Sequence, residues 1–158
     1  MSQALEILLV PDVTDEVRTL IDELNEELGA LYTPEQRHGL ALEAIFQPHI
    51  RFYVARRDGE AVGCGGVALF DGFAEIKRLY VRAALRGQGI ADAIMAHLAG
   101  EGIASGRNFL RLETGSHSHA AIRFYSRLGF GACGPFAPYA GMPAASIITS
   151  VFMEKRVP

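Results

Sequence analysis

The sequence predicts an α/β (α+β) domain, a sheet with both antiparallel and parallel neighbours packed by helices, and three observations carry that prediction. Asp58-Gly59 lies between two apolar runs, a strong short-range hairpin signal. Residues 73–81 read as a strand, a glycine-containing loop and a helical pattern follow, and residues 108–113 read as a further strand. A strand–helix–strand unit of this kind pairs its strands in parallel with a right-handed crossover. Apolar residues also recur at helical spacing in separate stretches before and after that unit. A length of 158 residues suits one domain, taken as residues 1–158, and 49% hydrophobic residues is ordinary for a globular core.

In chain order, residues 4–10 read as a first strand ended by Pro11. Asp12 or Thr14 caps a helix over 15–28, whose face carries Val17, Leu20, Ile21, Leu24 and Leu28, with Gly29 placed to close it. Thr33-Pro34-Glu35-Gln36 has a cap, a first-turn proline and a capping-box glutamine, so a second helix is expected to run to about Phe46 and stop at Pro48. Between the two, Tyr32 is either a core residue or part of a substrate wall. Residues 50–56 and 60–70 are the two hairpin strands. Cys64 in the second reads as a small buried residue, because no histidine is near it in sequence to activate a nucleophile. A helix over 88–105 follows the central strand; Gly100 and Gly102 weaken its end, and Gly106 is a credible stop. Ser118 caps a helix to about Leu128, and Gly129 closes it. Phe130 begins a short strand. Residues 135–146 form a Gly/Pro-rich loop long enough to be functional, and residues 147–153 form the last strand.

The central stretch is the informative one. In 73–81 the alternation breaks: Ile76 is out of phase with Leu79 and Val81, so one residue too many lies between them. That predicts a β-bulge near Lys77 and Arg78, which bends the strand and leaves main-chain N–H groups unpaired. Arg86-Gly87-Gln88-Gly89-Ile90-Ala91 comes next. Its glycines let a ligand approach the backbone. The free amides and positive dipole end of the helix that begins there form an anion site suited to phosphate, to which Arg86 adds a charged donor.

These residues resemble the GNAT acetyltransferase superfamily, whose signature is Arg or Gln, two residues, Gly, any residue, then Gly or Ala; Arg86, Gly89 and Ala91 fit it. Ala121-Ile-Arg-Phe-Tyr125 with Leu128-Gly129-Phe130 is similar to a second segment of the same superfamily, Ala-x-x-x-Tyr-x-x-x-Gly-Phe. The runs Leu112-Glu-Thr-Gly115, Gly134-Pro-Phe-Ala-Pro-Tyr139 and Phe152-Met-Glu-Lys155, with Tyr32 and Arg37-His38-Gly39, resemble one group of small bacterial members along nearly the whole chain.

The resemblance implies a mixed, mainly antiparallel sheet of six or seven strands, helices on both faces, and a cleft where the central strand splays. It implies acetyl-coenzyme A as co-substrate, its pyrophosphate on the amides of Arg86, Gly87, Gln88, Gly89, Ile90 and Ala91 and its pantetheine along Leu79, Tyr80 and Val81. Many members place Asn near the start of the later helix to hold pantetheine; here Ser118 or His119 stands in that region. Tyr125 takes the place of the general acid that faces the coenzyme sulfur. Glu75 takes that of the general base; its alternative is a strand carboxylate facing solvent or paired with Lys77 or Arg78. An amine acceptor, mostly protonated at neutral pH, needs such a base before it can attack. Tyr32, His38 and Tyr139 would wall the acceptor, a small molecule or a peptide. A non-catalytic acetyl-coenzyme A sensor is the alternative to an enzyme, and Tyr125 together with Glu75 favours the enzyme.

Other chemistries fit less well. The third glycine of a dinucleotide-binding Gly-x-Gly-x-x-Gly is missing, and four residues separate the glycine loop from the strand. No Gly-Lys-Ser/Thr phosphate loop or Gly-x-Ser-x-Gly elbow is present. His117-x-His119 is a weak metal signal without further ligands, and no metal is expected. Fifteen basic against eighteen acidic residues, a net −3, argues against a general nucleic-acid binder. Two cysteines build no disulfide framework, which points to a reducing cytoplasm. The first apolar run, residues 7–10, is too short for a signal peptide, and no run reaches the ~20 apolar residues that span a bilayer. An exposed last strand offers a route to a homodimer.

Overall fold

Asp58 and Gly59 both take left-handed backbone angles, φ 53° and 78°, as a two-residue type I′ hairpin requires. That turn joins β2 (Ile50–Arg57) to β3 (Glu60–Phe70) in a computed structural model that describes residues 4–158. The remaining strands are β1 (Leu5–Leu9), β4 (Phe73–Val81), β5 (Phe109–Gly115), β6 (Gly131–Cys133) and β7 (Ser150–Arg156). They form one sheet in the order β1-β2-β3-β4-β5-β7-β6, antiparallel at every pair except β4–β5. The helices are α1 (Asp15–Gly29), α2 (Ile90–Ala104), α3 (His119–Arg127) and the single turn α4 (Ala144–Ile147). This is the expected fold class, seven strands with helices on both faces.

The two faces carry separate cores. Val17, Leu20, Ile21 and Leu24 of α1 pack on Phe52, Val54, Cys64 and Tyr80. Ile90, Ile94 and Leu98 of α2 and Tyr125 of α3 pack on Tyr53, Ala55, Val81, Leu110 and Leu112. An aromatic cluster of Phe73, Phe136, Tyr139 and Phe152 closes one end. Where α2 lies over the sheet, Gly102 is buried, and a Cβ there would sit 3.0 Å from Leu110 and 3.1 Å from Ala74. The helix therefore continues through Gly100 and Gly102 instead of shortening at them, and stops where Gly106 takes φ 79°.

Thr14 supplies the α1 cap, its Oγ1 accepting from the Val17 amide at 3.2 Å. The other end departs from expectation: Gly29 is the last helical residue, and Ala30 closes the helix in the right-handed region. A larger departure follows. The helix expected from Pro34 to Phe46 is two 3₁₀ turns, Pro34–Gln36 and Leu42–Phe46, with extended chain between them. The starting signal does act, since the Thr33 amide donates to Gln36 Oε1 at 3.0 Å. Tertiary contacts then draw the chain out: Arg37 reaches the Asn25 carbonyl, His38 the Ser146 carbonyl, and Gly39 lies against the Arg78 guanidinium. One turn of helix is too weak a unit to resist them.

Two boundaries near the C-terminus also move. Pro143 precedes α4, so Ile147 ends a helical turn and β7 begins only at Ser150. β7 is not the exposed edge expected of it: β6 covers it from Phe152 to Glu154, so the last strand offers no bare edge there for pairing with a second copy.

The register of β4 positions the site. Cys64 pairs with Tyr80 and Gly66 with Lys77, so Arg78 and Leu79 together oppose Gly65 alone. This is the expected bulge, and Arg78 takes φ 54° in it. Before it, Phe73, Glu75 and Lys77 share one face while Ala74 and Ile76 enter the α2 core; beyond it, Tyr80 has moved to the α1 face. β5 pairs with β4 only from Phe73 to Glu75, then continues against β7 to Gly115. The sheet is therefore open beside residues 77–81.

Candidate functional site

A cleft of about 740 Å³ occupies that opening. Its walls are the bulged half of β4, the C-terminal end of β5, the start of α3, α1 and the 3₁₀ segment after it, and Tyr139. A second cavity of about 380 Å³ lies over the glycine loop and shares Val81, Arg86, Gly87, Ala91 and Phe124 with the first.

On the loop, Gly87 and Gly89 take φ 82° and 81°, and a Cβ at either would meet nothing within 4 Å. α2 begins at Ile90, two residues later than expected, because Gly89 in the left-handed region precedes it. Among the described residues, the amides of 87–92 donate to no protein acceptor. These are the four orphan donors of a helix start plus the turn that leads into it.

The face of β4 towards the 3₁₀ segment carries Glu75, only 2% exposed. Its Oε2 accepts from the Tyr139 hydroxyl at 2.5 Å and from Lys77 Nζ at 3.3 Å, while Lys77 also donates to the Tyr139 oxygen at 2.9 Å. Burial pushes the Glu75 carboxyl above the usual carboxylate range, against the Lys77 charge and the Tyr139 hydrogen bond. Glu75 thus lies opposite Ile76, as strict alternation requires, and is paired with Lys77, but it is buried beside Tyr139 in the cleft wall and not out in bulk solvent. Burial, followed by the Glu75 charge, also pushes Tyr139 well above the ordinary phenol range.

Glu113 of β5 enters the same cleft without having been singled out as a site residue from sequence. Its carboxyl is raised by burial and accepts a hydrogen bond from Ser150 at 2.7 Å. The signal available was its parity: Phe109, Arg111 and Glu113 alternate with the core residues Leu110 and Leu112. Tyr125, nearly buried on α3, is pushed above the phenol range first by burial and then by the Glu113 charge. Cys64 is fully buried, and burial lifts its thiol to about 12, which fits a packing residue and not a nucleophile.

The Acetyltransferase (GNAT) family pattern matches residues 17–130, from α1 through the bulged strand and glycine loop to the end of α3. The chain belongs to the GNAT acetyltransferase family. An IAA acetyltransferase of Azospirillum brasilense is 41% identical over 143 residues, 89% of this chain and 90% of that protein. The uncharacterized N-acetyltransferase YsnE of Bacillus subtilis is 33% identical over 152 residues, 94% and 97% of the two chains. Among solved structures, a Klebsiella pneumoniae protein described as an acyl-CoA N-acyltransferase is 33% identical, has a TM-score of 0.78 and covers 98% of each chain. This GNAT protein is an acyltransferase, and the family's acetylation depends on acetyl-coenzyme A.

The residues of this acetyltransferase fit such a carrier. Unpaired amides over 87–92 suit a pyrophosphate, the two left-handed glycines keep side chains away from it, and the cleft continues past Leu79, Tyr80 and Val81 to Tyr125. Two expected side-chain contacts, those of Arg86 and Ser118, are otherwise engaged. The Arg86 guanidinium is engaged by the Val81 carbonyl at 2.9 Å and by Glu27 at 2.6 Å. That Glu27 pair is about half exposed, so its net worth is small and the cation can exchange partners. The Gln88 side chain lines neither cavity and accepts from Arg57 at 2.6 Å, and Ile90 is a core residue of α2; only their amides remain for a ligand. The Ser118 hydroxyl, in place of capping α3, bonds the Tyr32 hydroxyl at 2.9 Å.

Tyr32 itself is buried; its oxygen also accepts from the His117 amide at 2.9 Å and lies where a side chain at Gly115 would collide with it. It pins the segment after α1 to the β5–α3 loop. His38 Nε2 donates to the Ser146 carbonyl at 2.7 Å, which fixes the tautomer of the neutral ring, and its edge packs on Tyr139. All three expected acceptor-wall residues line the cleft. Among the described residues, no helix is long and apolar enough to cross a membrane.

Proposed function

We propose that this protein moves an acetyl group from acetyl-coenzyme A to a primary amine by direct transfer, with both molecules bound together. The observation that carries the reading is that one cleft joins a loop of unpaired amides to a buried carboxylate and a buried phenol of opposite uses. When bound, acetyl-coenzyme A supplies the activated acetyl thioester. The free amides of residues 87–91 hold its pyrophosphate, while that of Arg86 donates to the Ala83 carbonyl at 3.5 Å; the main chain of Leu79 to Val81 holds its pantetheine, and a main-chain N–H near Val81 supplies the oxyanion donor. Ser118, which lines the cleft, is the residue proposed to meet the pantetheine.

Glu75 takes the proton that an ammonium acceptor must lose. Its raised affinity for protons suits that task, because a base works best with a pKa near the working pH. Tyr139 and Lys77 fix the carboxylate from two sides. Tyr125 stays protonated throughout the neutral range and so keeps a proton ready for the departing thiolate. Tyr32, His38 and Tyr139 bound the acceptor space.

Thiol release from acetyl-coenzyme A across a panel of primary amines tests the reading. Turnover that requires an amine and yields the N-acetyl product supports it. Saturable acetyl-coenzyme A binding with no turnover on any amine contradicts it and indicates a sensor.

A further inference from the structure

The acceptor side of the cleft contains two arginines whose charge no carboxylate meets. Arg37 Nη1 donates to the Asn25 carbonyl at 3.3 Å, and Arg78 Nη2 to the Asn25 side-chain oxygen at 2.5 Å. Among the described residues neither is ion-paired; of the three arginines that line the cleft, only Arg86 is. A guanidinium has five N–H donors, and one from each of this pair is used. Arg78 Nε is buried without an acceptor.

The two cations sit close enough to disfavour each other. Burial makes Arg78 easier to deprotonate than a free guanidinium, and the Arg37 charge acts in the same direction. Both line the cleft, and the left-handed angle of Arg78 in the bulge aims it beside the strand towards α1. The same cleft contains Glu75, three residues before Arg78 on β4, or about 10 Å along a strand, and Glu113 on β5. One wall therefore carries carboxylates, Glu75 with Lys77 already on its Oε2 and Glu113 with no salt bridge among the described residues, and another offers unneutralised guanidiniums to an anion.

We propose that the amine acceptor carries a carboxylate, held by the forked donors of Arg37 and Arg78 while its ammonium lies towards Glu75 and Glu113. The acceptor class is an amino-carboxylate. This rests on the reading of the cleft as an acetyl-coenzyme A-dependent N-acetyltransferase site. Arginine suits the task because its planar fork binds a carboxylate through two parallel hydrogen bonds.

The test compares kcat/KM for amino acids and their amides, glycine with glycinamide and leucine with leucinamide, in the parent enzyme, Arg37→Met and Arg78→Lys. Each pair keeps the primary amine and differs in the carboxylate. The free acid is expected to lead by about tenfold or more, the usual scale of a hydrogen bond to a charged group. Arg37→Met is expected to abolish that lead, and Arg78→Lys, which keeps charge but loses the fork, to reduce it. Acid and amide turned over alike by the parent enzyme, or a lead that survives Arg37→Met, overturns the proposal. So does a raised KM for acetyl-coenzyme A with the lead intact, which would put the arginines on the donor. If Arg78→Lys does not fold, Arg37→Met decides alone. No turnover of any acid or amide, with acetyl-coenzyme A still raising Tm, overturns the N-acetyltransferase reading first and this one with it.

Discussion

Glu75 and Tyr125 are both buried, yet burial acts on them to different ends. A carboxyl pushed up becomes a stronger base, while a phenol pushed up keeps its proton more firmly. Tyr125→Phe is predicted to lower kcat by roughly 10²–10⁴-fold, the usual worth of a positioned acid or base, and to leave the Kd of acetyl-coenzyme A within about threefold. A Phe variant that keeps its kcat removes the assigned role. Tyr139→Phe tests Glu75 from the side. The Tyr139 hydrogen bond lowers the Glu75 pKa, so deleting it raises that pKa further. Because the working form is the ionised carboxylate, the acid limb of kcat/KM is predicted to move to higher pH, seen in a profile with one favoured amine. An acid limb that stays in place or moves down assigns it to another group.

The strand beside the bulge tolerates little change because neighbouring backbone is close, and the glycine loop because its backbone is left-handed. A Cβ at Gly63 would lie 2.6 Å from the Tyr80 carbonyl, which is fixed in the β3–β4 ladder. Gly63→Ala is predicted to destabilise by about 1–3 kcal/mol, read from the urea midpoint. Gly89→Ala meets no neighbour, but it places an L side chain at φ 81°, so its predicted cost is about 1–2 kcal/mol from backbone strain alone. Equal stability of either variant and the parent would show that the local chain can relax.

These elements also mark what sequence could reveal. The out-of-phase Ile76 and Leu79 announced the bulge because side-chain parity is a local property. Asp58-Gly59 did the same for its hairpin. The stretch after Pro34 misled because its capping signals are local, whereas Asn25, Arg78 and Ser146, which unwind it, are distant in sequence. Glu113 is not legible as a site residue for a similar reason. Nothing near Glu113 in the chain shows that β5 outruns its pairing with β4.

The opening in the sheet sets the working shape of the protein. α1 is tied across β4 by Glu23 to Tyr80 and Arg82 and by Glu27 to Arg86, so one side of the cleft is a helix anchored by its own acids. On the other side, α3 brings Tyr125 beside the end of β5. A donor entering over the glycine loop and an acceptor entering past Tyr32 and His38 would meet at the bulge, where β4 has turned away from β5. On the proposed reading, donor and acceptor would thus meet from opposite sides of one distorted strand.

Hydrogen exchange, resolved at individual amides with and without saturating acetyl-coenzyme A, tests the central claim most directly. The account predicts slowed exchange at residues 87–92 and around 79–81, the amides that protein acceptors leave free or that border the bulge. Tight binding of acetyl-coenzyme A with exchange unchanged at those amides would contradict it.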